Sequence, residues 1–429
     1  MAAKNAIEQR LDRLHDQWVE FSTAPEPRIL HWLVRQDEYR MVEAFLQKES
    51  DDGAGELPDI FMRFDEPFND VNQYGAALLD GLLAQYAVVR EELEQDGIAA
   101  EWQPAAPAPG THSLTAFTAA AVSLHTHYAD ELEQLALVLT PTVVADPAQW
   151  QRWLIAAARG MPASVRIVII DDIDSPVLAA LEPDAEGLVA SVPAELTMAD
   201  AMVELAKAGG TAGPDGQFRV NFATLGQALG TGDLARAEQS ANHAIAIARE
   251  NGWTHLVAAV HFAMGAGLLN AGRPLEAVER YREVDAAGAQ VEGEGEPLGT
   301  RLRMQGAFAT GAAYVAAAAW DDGARVYEGA VPLTEALGEP LMTVDAWRMA
   351  AYCREQKRDT EGAWDFGHRA LIAGEVIPPD QRPTSMLPYA GDALLRLAGS
   401  SRSHADAVHR RMVELTGTPD WRPDAGQST

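Results

Sequence analysis

The chain has 429 residues, of which 47% are hydrophobic, and its formal net charge is −30. This length and composition allow two or three domains with buried cores and exclude a disordered scaffold. Because nucleic-acid backbones and anionic membranes are held by Lys and Arg, the acidic excess argues against both and leaves a protein or peptide as the expected partner.

The cysteine content and the N-terminal segment indicate the cellular compartment in which the protein is expected. The single cysteine, Cys353, lies in a predicted helix, which excludes an internal disulfide framework and a thiolate metal cage. The N-terminal segment is amphipathic and charged, without the apolar run of a signal peptide or membrane span. These features predict a cytoplasmic protein.

Strand-like and helical segments alternate over residues 1–208. Apolar residues at helical or strand spacing predict helices at 5–21, 37–49, 72–95, 113–134, 147–160 and 198–208. They predict strands at 28–34, 58–65, 135–141, 165–172 and 187–193. Residues 103–110, QPAAPAPG, form an irregular connector. Since the strands are apolar throughout, the pattern predicts an α/β domain with a parallel sheet covered on both faces.

The second half of the chain contains recurring helical hairpins. Four units align on small residues, namely Ala237, Ala277, Ala324 and Ala363. In three of the units the residue twelve positions before the aligned alanine is also small: Gly265, Ala312 and Ala351. In the first unit this position is Leu225, which is followed directly by Gly226. The spacing of Gly265, Gly272, Ala277 and Tyr281 resembles the tetratricopeptide (TPR) repeat. This resemblance implies an all-α TPR-like solenoid covering nearly half of the chain.

Glycine-rich composition marks the domain boundary. Residues 209–217, GGTAGPDGQ, have the composition of a linker. We therefore expect the α/β domain at 1–208, the helical repeats at 218–415 and a flexible tail at 416–429.

The order of strands and helices before the repeats resembles the signal-transduction P-loop ATPases related to the AAA+ class. In that family the first strand leads into a glycine-rich loop with Lys and Ser/Thr, which holds phosphates. Here the corresponding stretch, LVRQDEYRM, contains neither glycine nor lysine and carries Asp37 and Glu38. The third strand ends in Thr140 and Pro141, where the family has acidic residues that hold magnesium. The resemblance thus implies a degenerate domain that has lost nucleotide hydrolysis.

Three carboxylates follow the fourth strand. Asp171, Asp172 and Asp174 could bind a divalent cation at the carboxyl edge of the sheet. The favoured interpretation is that Asp and Ser initiate the turn and cap the following helix, SPVLAALE. His125 and His127 lie two apart in a predicted helix and so point to different sides. No catalytic constellation is recognisable, and we expect neither enzymatic activity nor a cofactor.

The sequence favours a non-enzymatic protein–protein interaction scaffold, such as an adaptor, chaperone or regulatory protein. Its partner would bind the concave face of the solenoid, which the first helix of each hairpin lines. The aligned units place on this groove Phe262, Ala266, Asn270, Ala309, Ala313, Ala316, Arg348, Tyr352 and Gln356. Phe262, Arg348 and Tyr352 are the expected anchors. Alternatively, closure of the solenoid buries the alanines, or the chain is a nucleotide-responsive switch. The oligomeric state is not determined by the sequence.

Overall fold

A computed structural model describes residues 4–50, 55–95, 100–178, 187–293 and 297–423. The chain divides into two units, Met1–Ala201 and Met202–Thr429. The first contains a parallel sheet with helices and the second is entirely helical, so the predicted fold class is confirmed. Among the helices of the described ranges, none combines the length and the apolar character needed to cross a membrane.

The first unit is built on a five-stranded parallel sheet in the order β2-β3-β4-β1-β5. Its strands are β1 (Ile29–Val34), β2 (Asp59–Phe64), β3 (Gln134–Leu139), β4 (Val165–Asp172) and β5 (Val189–Pro193). Its helices are α1 (Ala6–Thr23), α2 (Tyr39–Ser50), α3 (Val71–Gln95), α4 (Ser113–His127), α5 (Pro147–Arg159) and the start of α6 (Met198–Ala208). Helices α1 and α2 pack on one face of the sheet, and α3, α4 and α5 pack on the other.

The chain changes direction across the sheet at β1. After β1 it moves past β4 and β3 to the edge strand β2, and then returns strand by strand to β5 on the other side of β1. Helix α2, which follows β1, therefore covers the opposite face from α3, α4 and α5. α/β proteins commonly bind ligands at such a reversal, which lies here at the carboxyl ends of the adjacent strands β1 and β4.

The second unit consists of successive helical hairpins. Its helices are α7 (Gly213–Gly230), α8 (Leu234–Glu250), α9 (Thr254–Asn270), α10 (Pro274–Gly293), α11 (Pro297–Ala316), α12 (Trp320–Ala336), α13 (Pro340–Gln356), α14 (Thr360–Ala373), α15 (Leu387–Ala398) and α16 (Arg402–Thr416). Four hairpins, from α7–α8 to α13–α14, each turn on one residue with a left-handed backbone: Gly232, Gly272, Ala318 and Arg358. These four turn residues define a structural register for the repeats.

The register corrects the sequence alignment in the third hairpin. Counted from the turn residues, the equivalents of Gly265 and Ala277 in that hairpin are Gly311 and Gly323, not Ala312 and Ala324. Ala312 is exposed, whereas Gly311 is buried. The sequence alignment was shifted by one residue because this hairpin is rich in small residues. Composition alone therefore did not determine whether Gly311 or Ala312 faces the second helix.

Two glycines bring helices of one hairpin into close contact. A Cβ atom on Gly265 of α9 would lie 2.5 Å from the Tyr281 ring of α10, and one on Gly311 of α11 would lie 2.5 Å from the Tyr327 ring of α12. Both tyrosine rings are buried. Any larger residue would therefore push the two helices apart.

The structure also differs from the expected linker and tail. Residues 213–217 belong to the first turn of α7, where Pro214 occupies a position that tolerates proline. The guanidinium of Arg219 donates hydrogen bonds to the carbonyls of Gly209 and Gly210, at 2.9 Å each. Trp421, in the segment expected to be a tail, is buried against α15 and α16. Composition marks glycine-rich segments but does not reveal such tertiary contacts.

We expect Gly311→Ala to lower the free energy of unfolding by about 1–3 kcal/mol, because its new methyl group overlaps the buried Tyr327 ring. Gly226→Ala is the matched control, since no atom of another described helix lies within 4 Å of the place that its methyl group would take. The control should gain up to about 1 kcal/mol from helix propensity. Chemical denaturation of both variants measures the difference, and equal stabilities would refute the close contact.

Candidate functional site

The loop after β1 contains a buried carboxylate. Glu38 is only 3% exposed. Its Oε2 accepts a hydrogen bond from the Arg35 amide and its Oε1 accepts one from the Thr197 amide, each at 3.0 Å. The carboxylate therefore ties the loop after β1 to the loop before α6. In a P-loop the backbone amides donate hydrogen bonds to a phosphate. Here two backbone amides donate instead to the Glu38 carboxylate.

Asp171, at the end of β4, is likewise satisfied by the protein. Its two oxygens accept hydrogen bonds from the amides of Asp172, Val177 and Leu178 at 2.9–3.0 Å, and Oδ2 lies 3.1 Å from Nε2 of His31. Burial by itself raises the pKa of the Asp171 carboxyl, but these hydrogen bonds outweigh it and leave that pKa below its ordinary value. Asp171 thus organises the turn that follows β4.

The other acidic candidates also serve the turn. Asp172 Oδ1 accepts a hydrogen bond from the Asp174 amide at 2.8 Å. Within the described ranges, no group of three or more His, Cys, Asp or Glu side chains could hold a metal ion. Residues 179–182 of the predicted helix SPVLAALE lie outside the described residues.

The remaining single candidates are not brought together. His125 bonds to the Glu133 carbonyl through Nε2 at 3.1 Å, and His127 packs edge-on against the Tyr128 ring. Cys353 is fully buried in α13, and burial raises the pKa of its thiol to about 11. Its thiolate is therefore scarce at neutral pH.

One cluster was missed by sequence reasoning. His31 of β1 lies between Asp171 of β4 and Ser191 of β5, with its Nδ1 3.0 Å from Ser191 Oγ. The partners are 140 and 160 residues from His31 along the chain. No local motif joins such distant positions, so only the order of the strands reveals the cluster.

The first helices of the four hairpins present a shared surface. We define the first-helix face as the positions ten, six and two residues before each turn residue: Phe222, Gly226, Gly230, Phe262, Ala266, Asn270, Phe308, Ala312, Ala316, Arg348, Tyr352 and Gln356. All twelve are at least partly exposed. The corrected register replaces Ala309 and Ala313 of the predicted groove by Phe308 and Ala312. Ala313 is fully buried and Ala309 is half-buried, because each follows the outward position by one residue.

Three phenylalanines occupy the same register position on this face. The Phe262 side chain is 39% exposed, and its ring packs on buried Tyr281 with centroids 5.5 Å apart. Phe308 packs on buried Tyr327 at 5.8 Å, and Phe222 stacks on Phe218 at 5.7 Å. Each exposed ring is therefore held in place by an aromatic ring behind it, which lowers the entropy lost on binding.

The polar anchors expected from the sequence have partners within the unit. The Arg348 guanidinium forms an ion pair with Asp345 at 2.7 Å, and both side chains are about one-quarter exposed. The ring of Tyr352 packs edge-on against Trp320, with centroids 6.1 Å apart. Arg348 is thus less available for a partner carboxylate than the sequence suggested.

Charge is distributed unevenly between first and second helices. First helices α7, α9, α11 and α13 contain three acidic residues, Asp215, Asp345 and Glu355, and five arginines, Arg219, Arg301, Arg303, Arg348 and Arg354. Second helices α8, α10, α12 and α14 contain thirteen acidic and six basic residues. Helix α9 has no Asp, Glu, Lys or Arg. The first-helix face is therefore nearly uncharged in a strongly acidic chain, and little charge must be desolvated when it is covered.

A buried histidine lies beside Phe262. His261 is 5% exposed, and neither ring nitrogen has a hydrogen-bond partner in the described part of the chain. The charged groups that act on it are Arg249 and Glu238 of α8 and Arg280 and Glu283 of α10. Burial and, secondarily, Arg280 lower the pKa of the His261 imidazole. The imidazole is therefore neutral at neutral pH. The four charged groups form two ion pairs that join α8 to α10, Arg249 with Glu283 and Arg280 with Glu238.

For Glu38→Ala we predict a loss of about 2 kcal/mol in the free energy of unfolding, because the amides of Arg35 and Thr197 lose the buried carboxylate that accepts their hydrogen bonds. Asp37→Ala, at the exposed neighbouring position, should change it by less than about 0.5 kcal/mol. Thermal and urea unfolding check both. Unchanged stability of the Glu38 variant would show that this carboxylate does not hold the loop.

The histidine makes stability depend on pH. The pKa of His261 is lower in the folded state than in the unfolded state, where it is about 6.5. The unfolded state therefore binds the proton more readily. As a result, the free energy of unfolding decreases as the pH falls from above the unfolded pKa toward the folded pKa. We expect His261→Leu to lose less stability than wild type between about pH 7.5 and 5.5. His255→Leu, at an exposed site on the same helix, should keep the wild-type slope. Parallel slopes for wild type and His261→Leu would rule out this contribution.

No protein-family model matches the chain, and no curated protein matches it. Among solved structures, BtubC (BKLC) from P. vanneervenii is 14% identical, with 54% of this chain and 94% of that chain covered and a TM-score of 0.38. The apo form of RapI is 9% identical over 95% of this chain and 86% of its own, with a TM-score of 0.33. A signal transduction ATPase with numerous domains (STAND) and a tetratricopeptide repeat sensor, from Pyrococcus horikoshii, is 12% identical over 89% of this chain and half of its own, at a TM-score of 0.34. Similarity at this level does not identify a family.

Proposed function

We propose that the chain is a protein–protein interaction scaffold whose TPR-like hairpins bind a partner segment through the first-helix face. The observation that carries the proposal is the row of Phe222, Phe262 and Phe308, each partly exposed and each backed by a buried aromatic ring or a stacked neighbour. Aromatic side chains held rigidly in this way are the groups that supply most binding energy at interfaces.

Small residues beside the aromatic row support the same proposal. Gly226, Ala266 and Ala312 lie one helical turn after the three phenylalanines, so a partner backbone can approach the first helices closely. Asn270 and Gln356 offer hydrogen-bonding groups further along the face. An amphipathic helix or an extended peptide with an apolar side fits this combination.

The charge distribution restricts the partner further. The nearly uncharged first-helix face suits an apolar strip on the partner, whereas the acidic second helices repel acidic proteins at long range. A partner that carries basic residues outside its apolar strip would therefore associate faster. An adaptor, a chaperone or a regulatory protein would use such a surface.

We also propose that the first unit does not turn over nucleotides. Glu38 provides negative charge at the place where phosphates require positive potential, and it already accepts hydrogen bonds from the amides of Arg35 and Thr197. Thr140, after β3, receives a hydrogen bond from Arg63 and donates to the Phe64 carbonyl. Neither position offers a free carboxylate for magnesium.

A nucleotide-responsive switch is the alternative, and the reversal of strand order at β1 and β4 is the observation in its favour. We expect calorimetry with ATP and magnesium to show no binding at micromolar concentrations. Micromolar binding without hydrolysis would favour the switch, and phosphate release above that of a mock preparation would contradict our proposal.

We expect Phe262→Ala combined with Phe308→Ala to weaken partner binding by about 2 kcal/mol or more, roughly 30-fold, because both rings leave the interface. The partner would first be isolated from extracts of the native organism with the wild-type protein as bait. Calorimetry with the purified partner would then measure its affinity for each variant. Leu275→Ala, which removes a 58% exposed apolar side chain from second helix α10, is the matched control and should bind as wild type does. Full binding by a folded double variant would move the site away from the first-helix face.

A further inference from the structure

Three side chains on neighbouring strands of the first unit form a continuous hydrogen-bonded series. Asp171 of β4, His31 of β1 and Ser191 of β5 lie side by side because β1 pairs with both other strands and aligns His31 with Ser191. Nε2 of His31 is 3.1 Å from Asp171 Oδ2, and Nδ1 is 3.0 Å from Ser191 Oγ. The series joins a carboxylate, an imidazole and a hydroxyl.

The hydrogen-bond partners fix where the proton of the imidazole lies. Asp171 accepts hydrogen bonds from three backbone amides, which favour its ionised form. An ionised carboxylate only accepts, so the Nε2 atom of His31 carries the proton and donates it. In the neutral form of the ring, the Nδ1 atom then has a lone pair facing Ser191 Oγ, and the serine O–H donates to it. This is the relation between a nucleophile, its general base and the group that orients the base.

Burial distinguishes the members of the series. His31 is 3% exposed and Asp171 is 8% exposed, so the imidazole is held rigidly away from bulk water. Ser191 is partly exposed and lies on β5, at the edge of the sheet. The oriented base is thus internal, whereas the nucleophile belongs to a residue that is partly exposed.

The backbone of β5 supplies a second useful group. The Ile29 amide donates to the Leu188 carbonyl at 3.0 Å, and the Ala194 amide donates to the Leu33 carbonyl at 2.9 Å. Because alternate residues of a parallel strand face the neighbouring strand, the amide of Ser191 points away from β1, toward the side of β5 that pairs with no other strand of the sheet. A carbonyl oxygen placed near Ser191 Oγ can accept a hydrogen bond from this amide as negative charge develops.

We propose that Ser191 is an activated nucleophile that accepts an acyl group from an activated carboxylic ester. Ser191 Oγ forms a bond to the acyl carbon, and its proton moves to Nδ1 of His31. The bond from the acyl carbon to the leaving oxygen then breaks, and the alcohol departs with the proton from Nδ1. The product is an acyl ester on Ser191, with no oxidation or reduction. This activity is separate from the proposed binding function of the second unit.

The test uses the full-length protein with a fluorophosphonate, which serine hydroxyls attack when a base removes their proton, with fluoride as the leaving group. We expect one phosphonyl group per chain by intact mass, located on Ser191 by peptide mapping. Ser191→Ala should abolish the label. Ser22→Ala should keep it, because Ser22 is a partly exposed serine whose hydroxyl donates to the Val19 carbonyl and, among the residues that the structure describes, has no histidine partner.

The role of His31 is tested by rate. His31→Gln should slow labelling by about 100-fold or more if the imidazole acts as general base. An unchanged rate in a folded His31→Gln variant would overturn the proposal, and so would label that persists in Ser191→Ala.

Because His31 is buried, His31→Gln could fail to fold, and a second measurement avoids this variant. p-Nitrophenyl acetate should give a burst of one nitrophenolate per chain with wild type and none with Ser191→Ala, whose substitution lies at the sheet edge. Absence of both label and burst in folded wild type would show that the series only ties three strands together.

Discussion

The close approach of first and second helices within a hairpin is the constraint on which the second unit depends. In α9–α10 and α11–α12 this approach is made by a glycine backbone lying against a buried tyrosine ring. Once Gly265 and Gly311 must face inward, the rotation of each first helix is fixed, because an α-helix turns by a constant angle per residue. The same contact therefore decides that Phe262 and Phe308 face outward. The rotation of the first helix about its axis thus determines both its packing against the second helix and which of its residues form the proposed binding surface.

The tyrosines have a role on both sides of this contact. Tyr281 fills the space left by Gly265 and also supports the ring of Phe262, and Tyr327 does the same for Gly311 and Phe308. Interior aromatic rings so packed cannot move without opening a cavity. The exposed phenylalanines consequently rest on a rigid layer, which is what a binding surface needs if little entropy is to be lost on association.

In the first unit the carboxyl edge of the sheet is held by acidic side chains that the protein itself satisfies. Glu38 binds the amides of Arg35 and Thr197, and Asp171 binds the turn after β4 together with His31. Buried carboxylates are tolerated only where such donors surround them. The edge at which α/β proteins commonly hold a ligand is thus stabilised here by internal anions.

The sequence by itself determined the order of elements, because buried strands and amphipathic helices each leave a hydrophobic period that needs no knowledge of the fold. It also excluded a phosphate loop after β1, since that loop requires glycine and lysine at adjacent positions. Which of Gly311 and Ala312 faces inward was decided only by packing against Tyr327, because both residues are small and neighbours in sequence. The pairing of His31 with Ser191 was likewise decided by tertiary structure: the contact depends on which strands become neighbours, and strand order arises from long-range packing that no local pattern encodes.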